Sequence, residues 1–160
     1  MHPSARKVAD AAARLGLDIE IVAFQETTHS AADAAAAIGC SIGQILKSLY
    51  FDVGGEPVMV LVSGANQLDT RKLARLTRVS PKQIARGEPE RAKAATGFTI
   101  GGIPPFGHET DLPIYIDEDL LQYDSIWAAA GTPHAVFEIA PATLVRAAAG
   151  RVANLRLESG

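Results

Sequence analysis

The chain has 160 residues; 48% are hydrophobic, only 6% are aromatic, and the formal net charge is −3. That length suits one domain filled by Ala, Val, Ile and Leu, and the acidic balance excludes a uniformly basic nucleic-acid coat. Cys40 is the only cysteine, which excludes an internal disulfide and a thiolate metal cluster. The opening Met1–Lys7 lacks the apolar core of a signal peptide. No apolar run approaches the roughly 20 residues that span a bilayer, so a cytoplasmic chain is expected.

In chain order, Val8–Leu15 has apolar residues at helical spacing, with Gly16 as a stop. Ile19–Phe24 reads as a strand. Ser30-Ala31-Ala32-Asp33 has the form of a capping box and opens an alanine-rich helix that Gly39 ends. Ile42, Ile45, Leu46 and Leu49 share a helical stripe. Tyr50–Val53 and Val58–Val62 flank Gly54-Gly55, a hairpin signal. Leu68, Leu73 and Leu76 predict a helix starting after Asp69 or Thr70. Ser80-Pro81 and Glu88-Pro89 each open a short helix with proline at its first position.

Phe98–Ile100 is strand-like and enters Gly101-Gly102-Ile103-Pro104-Pro105-Phe106-Gly107-His108. Leu112–Ile116, Ser125–Ala130 and Ala135–Ile139 predict strands, the last two joined through Gly131-Thr132-Pro133-His134. Pro141–Ala149 is a helix closed by Gly150, and Val152–Leu157 adds a last strand. Hairpin signals outnumber βαβ crossovers, which predicts a mixed α/β (α+β) domain with a mainly antiparallel sheet and surrounding helices.

Charge is unevenly placed. Residues 71–93 hold eight Lys and Arg against Glu88 and Glu90, a local +6, so the remainder carries −9. Arg71, Arg75 and Arg78 fall on one face by the i, i+4, i+7 rule. Such a face is either solvated surface or a contact for phosphates.

The chemistry-bearing candidates are few. Lys47, between Leu46 and Ser48, is placed at the seam of a helix and a strand, where it either snorkels to water or meets a phosphate or polarised carbonyl. The Gly101–His108 loop is either a plain connection or a cradle whose amides face an ester oxygen. His134 and His108 are structural or substrate-contacting; His2 and His29 have nothing around them to suggest a role. There is no HExxH, phosphate-binding loop or nucleophile elbow, so no covalent nucleophile, metal or other cofactor is called for.

Several segments together resemble the YbaK family of aminoacyl-tRNA deacylases, whose domain is also inserted in bacterial prolyl-tRNA synthetases as an editing domain. They are Ile38-Gly39-Cys40 with Gln44-Ile45-Leu46-Lys47-Ser48-Leu49; Ser63-Gly64-Ala65-Asn66 with Asp69, Lys72 and Leu73; Gly101-Gly102-Ile103-Pro104-Pro105; and Gly131-Thr132-Pro133-His134 before Val136-Phe137. The similarity runs from about Val22 to Ala149, with all blocks in order. It implies that residues 1–160 form a single trans-editing domain that hydrolyses a mischarged aminoacyl-tRNA, most often a small amino acid on proline tRNA.

By position, the resemblance gives Lys47 the engagement of the acylated tRNA end. Gly101 and Gly102, with Ile103, Pro104 and Pro105, hold the aminoacyl group and place the attacking water. Thr132 and His134 take pocket positions. Arg71, Arg75 and Arg78 become tRNA phosphate contacts, and Phe106, Ile45 and Met59 are candidates to shape the pocket. The partners implied are aminoacyl-tRNA and, transiently, a cognate synthetase, with no membrane and no DNA. The chemistry is consistent with the need. A proline pocket rejects smaller residues weakly, since one methylene is worth about 1–3 kcal/mol, and an activated ester yields to positioned water, backbone donors and a cation. A ribose hydroxyl of the terminal adenosine is a candidate proton relay. The rival readings are a non-catalytic module that binds a tRNA end or a synthetase, and a small-molecule esterase.

Overall fold

A computed structural model describes residues 1–25 and 30–158; His29 lies outside the described residues. The elements follow the chain as α1 (Pro3–Arg14), β1 (Ile21–Ala23), α2 (Ala31–Ile38), β2 (Leu46–Val53), β3 (Glu56–Ser63), α3 (Thr70–Thr77), β4 (Ile84–Arg86), α4 (Pro89–Thr96), β5 (Ile114–Asp117), β6 (Ile126–Ala129), β7 (Ala135–Ile139), α5 (Pro141–Ala148) and β8 (Arg151–Ala153). Local chemistry sets several boundaries. Ser30 accepts from the Asp33 amide at 3.1 Å and caps α2, Gly39 ends it in the left-handed region, and Asp69 caps α3.

The strands form two sheets. One has the order β1-β7-β6 and is antiparallel throughout; the other has the order β4-β2-β3-β5-β8. In the larger sheet β2 pairs with β3 and β4 antiparallel, while β5 runs parallel to both β3 and β8. Among the described residues one parallel bridge, Ile45 to Trp127, joins the two sheets. The β2–β3 hairpin turns at Gly54 (φ +58°) and Gly55 (φ +86°), the pair of positive angles that a two-residue turn needs to match strand twist.

The central core lies between the sheets and helices α1, α4 and α5, and includes Val8, Met59, Leu61, Phe98, Phe137 and Leu144. A second cluster under α3 covers the other face of the large sheet with Phe51, Val60, Val62 and Leu73. β3 is buried on both faces, which is why Val58–Val62 reads as an unbroken apolar run. Among the described residues no helix is long and apolar enough to cross a membrane.

Three expectations are corrected. The stripe Ile42–Leu49 is not a helix: Ser41 and Gln44 close a single 3-10 turn at Ile42–Gln44, and the chain then enters β2, because pairing with β3 over eight residues outweighs a short helical spacing. Phe98–Ile100 is not a strand. Phe98 is buried, and Thr99–Gly102 is a turn closed by the Gly102 amide on the Thr99 carbonyl at 2.9 Å. The last strand stops at Ala153, and β4, only three residues long, has no signal of its own in the sequence.

Candidate active site

β4 pairs with β2 only at Phe51, Asp52 and Val53, so the outer edge of β2 before Tyr50 has no β4 partner. Leu46, Lys47, Ser48 and Leu49 all line a cavity of about 280 Å³ at that edge. Its other walls include Ile100, Gly101 and Ile103 from the glycine–proline loop, Thr132 and Pro133 from the β6–β7 connection, and Trp127–Ala129 of β6. Lys47 and the glycine–proline loop, 54 residues apart in sequence, therefore share one space.

Lys47 sits on β2 rather than at a helix–strand seam. Its Nζ donates to the Asn66 carbonyl at 2.7 Å. An ammonium carries three donors, so two remain, and no carboxylate forms an ion pair with it among the described residues. Asn66 is itself held, its Nδ2 donating to Asp117 and Asp119 at 2.8 Å each. The buried Asp117 also accepts from the Ser63 amide at 3.1 Å. The ends of β3 and β5 thus fix the carbonyl that orients the lysine. Burial, first, and the Arg86 guanidinium push the Lys47 pKa below the usual lysine value, while the Asp117 carboxylate pulls it up. Arg86 lines the same cavity, so among the described residues two cations and no acid border it.

The loop is rigid for identifiable reasons. Gly101 has φ +98° at the third position of the Thr99–Gly102 turn, where a side chain is strained. The Gly102 carbonyl accepts from the Gly131 amide at 2.9 Å, and a Cβ on Gly102 would lie 2.6 Å from the Gly131 backbone. The two connections are therefore docked backbone to backbone. Gly102 is buried with its amide on Thr99, so of the two glycines only Gly101 faces the cavity. The amides of Gly101 and Ile103 have no partner among the described residues. Pro104 and Pro105 are buried and do not line the cavity. The His108 Nε2 lies 2.7 Å from the Pro104 carbonyl and anchors the loop from behind.

His134 is placed elsewhere. It is exposed and lines a separate cavity of about 530 Å³ with Ser4, Ile21 and Thr99, which shares only Thr132, Pro133 and Ala135 with the first. Ile45 lines the Lys47 cavity, whereas Met59 and Phe106 are core residues, Phe106 packing on Phe137 at 5.5 Å. Arg71, Arg75 and Arg78 do not form one stripe. Arg78 leaves the helix at φ +60°, and Arg71 pairs with Asp69 at 3.4 Å. Arg75 and Arg78 instead join Lys72 and Arg151 around a cleft of about 430 Å³ between α3 and β8. Among the described residues, no group of three His, Cys, Asp or Glu side chains is placed to hold a metal ion.

The family model of the aminoacyl-tRNA editing domain matches residues 25–147. The chain belongs to the aminoacyl-tRNA editing domain family. As a member of that family it is an aminoacyl-tRNA hydrolase. A solved structure described as a candidate trans-editing enzyme for prolyl tRNA synthetase is 42% identical, with a TM-score of 0.93 and 99% of each chain covered. EbsC of Enterococcus faecalis, named as a candidate Cys-tRNA(Pro)/Cys-tRNA(Cys) deacylase, is 30% identical over 135 residues, 83% of this chain and 80% of that one. A proline–tRNA ligase of Maridesulfovibrio salexigens is 31% identical over 127 residues, which is 77% of this chain but 21% of the ligase.

Within this editing domain, the residues the sequence does not single out for the site are Ser48, Asn66, Arg86 and Asp117. Ser48 and Asn66 stand in the segments that carry the resemblance, and Arg86 stands in the basic segment. Asp117 has no signal, because its role is set by pairing β3 with β5.

Proposed function

We propose that this chain is a single trans-acting editing domain that removes a small amino acid mis-attached to proline tRNA, and that the bond is cut in the Lys47 cavity. The supporting observation is that Lys47, Gly101 and Ile103 line the same half-open cavity, and that the Gly101 and Ile103 amides have no partner among the described residues. The terminal adenosine enters with its ester carbonyl toward these donors. Water attacks the carbonyl carbon, negative charge develops on the carbonyl oxygen, and pre-set donors stabilise it without reorganisation. The carbon–oxygen bond to the ribose then breaks. The ribose oxygen leaves as a hydroxyl, taking the proton that water lost, and the neighbouring ribose hydroxyl relays that proton. Gly102, Pro104 and Pro105 hold the loop, Thr132 borders the acyl group, and His134 acts from the adjoining cavity on a neighbouring part of the tRNA end.

The tRNA backbone is assigned to the cleft of Arg75, Arg78, Lys72 and Arg151, with Arg71 at its margin. β8 is three strands from β2 in the sheet order, roughly 15 Å at the usual strand spacing, a distance a few nucleotides of acceptor end can cover. The synthetase that made the error is a transient partner, and the compartment is that of translation, the cytoplasm.

The test is a deacylation screen across mischarged tRNAs, with Lys47→Ala as control. Release of a small amino acid from proline tRNA by the wild type, and loss of that release in the variant, is expected. Saturable tRNA binding with no release from any proline tRNA would overturn the substrate assignment.

A further inference from the structure

Ser48 follows Lys47 on β2, so its side chain leaves the opposite face of the strand. That face carries Leu46 and Tyr50 and looks onto the central core, with Ile103, Ala128 and Ala135. Ser48, Leu46, Ile103, Ala128 and Ala135 all line the Lys47 cavity. The Ser48 hydroxyl is covered from solvent and has no hydrogen-bond partner, the one buried side-chain polar atom in that condition among the described residues. Folded proteins satisfy nearly all such groups, and an unmet one is costly. Here it stands at the wall of a cavity that the proposed reaction must fill.

On the β4 side the Ser48 backbone also has no partner strand, although on the other side Ser48 is in register with Leu61 of β3. The Gly87 amide donates to the Tyr50 carbonyl and the Gly54 amide to the Gln83 carbonyl, so even-numbered residues of β2 turn their peptide groups toward the β4 side. At Ser48 β4 is absent, and its carbonyl faces the open edge. A carbonyl there suits the α-ammonium common to every aminoacyl group. The hydroxyl, set among apolar side chains, suits a neutral partner, because desolvating a charge beside it would cost far more.

We propose that the Ser48 hydroxyl is the specificity contact of the site and selects aminoacyl groups bearing a β-hydroxyl or β-thiol over apolar isosteres. The inference rests on hydrolysis taking place in the Lys47 cavity. The Ser48 hydroxyl has no hydrogen-bond partner to lose, and a turn about the Cα–Cβ bond is the motion by which it would reach the acyl side chain. A site built around a hydrogen bond rejects the analogue that cannot make it, whereas an apolar wall discriminates weakly.

The test compares seryl and 2-aminobutyryl esters of the same proline tRNA, which differ by a hydroxyl in place of a methyl. The wild type is expected to favour the seryl ester in kcat/KM by at least tenfold, and Ser48→Ala to lower that ratio at least tenfold. The variant is also expected to melt at or above the wild-type Tm, since it removes an unsatisfied group. An unchanged ratio, a wild type that prefers 2-aminobutyryl, or no hydrolysis of the seryl ester overturns the proposal. Lys47→Ala separates the two readings. Loss of hydrolysis in that variant with a Ser48-independent ratio removes only the specificity contact; undiminished hydrolysis in it removes the site itself.

Discussion

At the scale of single residues, the proposed site is a cation held by a carbonyl. Replacing Lys47 by Ala is expected to lower kcat/KM for deacylation by about a hundredfold or more, the usual loss when a donor to a developing oxyanion is removed, with an unaltered circular dichroism spectrum. Lys47→Arg is not a rescue, because a planar fork cannot take the place of a compact ammonium beside Asn66. Burial lowers the Lys47 pKa, and in the proposed mechanism the acting species is the charged one. Activity is therefore present below the folded pKa and falls as pH rises through it, beginning at a lower pH than an ordinary lysine allows. A pH–rate profile with the uncatalysed hydrolysis subtracted checks this; a profile that climbs monotonically above that point contradicts a cationic role.

His108 gives a second residue-scale prediction. Burial, the larger effect, lowers its pKa, and the Pro104 carbonyl partly restores it. The unfolded chain thus binds the proton first. This contribution to stability is full above the unfolded value of about 6.5 and is lost as pH falls toward the folded value. His108→Ala is expected to remove that segment of the Tm–pH curve and to lower Tm overall, by about 1–3 kcal/mol of stability for a missing buried hydrogen bond. A parallel Tm–pH curve in the variant contradicts it.

At the scale of elements, the two docked loops are the structural feature on which the cavity depends. A Cβ at Gly102 meets the Gly131 backbone at 2.6 Å, and one at Gly131 meets the Ser4 carbonyl at 2.4 Å, whereas at Gly101 only Pro133 is near, at 3.5 Å. Gly102→Ala is therefore expected to cost about 1–3 kcal/mol as overpacking against backbone and to reduce kcat, because the Gly101–Ile103 segment must shift. Gly101→Ala carries backbone strain alone, about 1–2 kcal/mol. Chemical denaturation with paired kinetics checks this; a Gly102→Ala variant with wild-type stability and kcat contradicts docking of the loops through Gly102. The same elements show what a sequence can and cannot convey. Caps such as Ser30 and Asp69, and the Gly54-Gly55 turn, are written in local residue chemistry and are legible there. The start of β2 reads as helical from Ile42 to Leu49 because a spacing of three and four fits both a stripe and a turn followed by a strand, and only the partner strand decides. The open edge that makes the cavity follows from where β4 stops, which no local pattern records.

At the scale of the whole molecule, charge is sorted into regions. Arg75, Arg78 and Arg151 have no ion pairs among the described residues and face one cleft, while Arg71 is paired with Asp69. Reversing Arg75, Arg78 and Arg151 to Glu is expected to raise KM and to flatten the slope of log KM against log salt by about 2 to 3, near 0.7–0.9 for each phosphate no longer neutralised. Arg71→Glu is expected to change the slope by less than one. The reverse ranking contradicts the cleft as the phosphate surface. The sequence shows that this segment is basic, and it cannot show that Arg78 leaves the helix or that Arg151 joins from β8.

Concavities of about 280, 430 and 530 Å³ lie among the described residues, the first and last sharing Thr132, Pro133 and Ala135, and the reacting ester is assigned to the smallest of these. A crystal structure with a 3′-aminoacylamino-3′-deoxyadenosine, in which an uncleavable amide replaces the ester, tests this most directly. The acyl carbonyl is predicted within hydrogen-bonding distance of Lys47 Nζ or of the Gly101 or Ile103 amide. An acyl group seated instead beside His134 in the larger cavity, with Lys47 untouched, would contradict it.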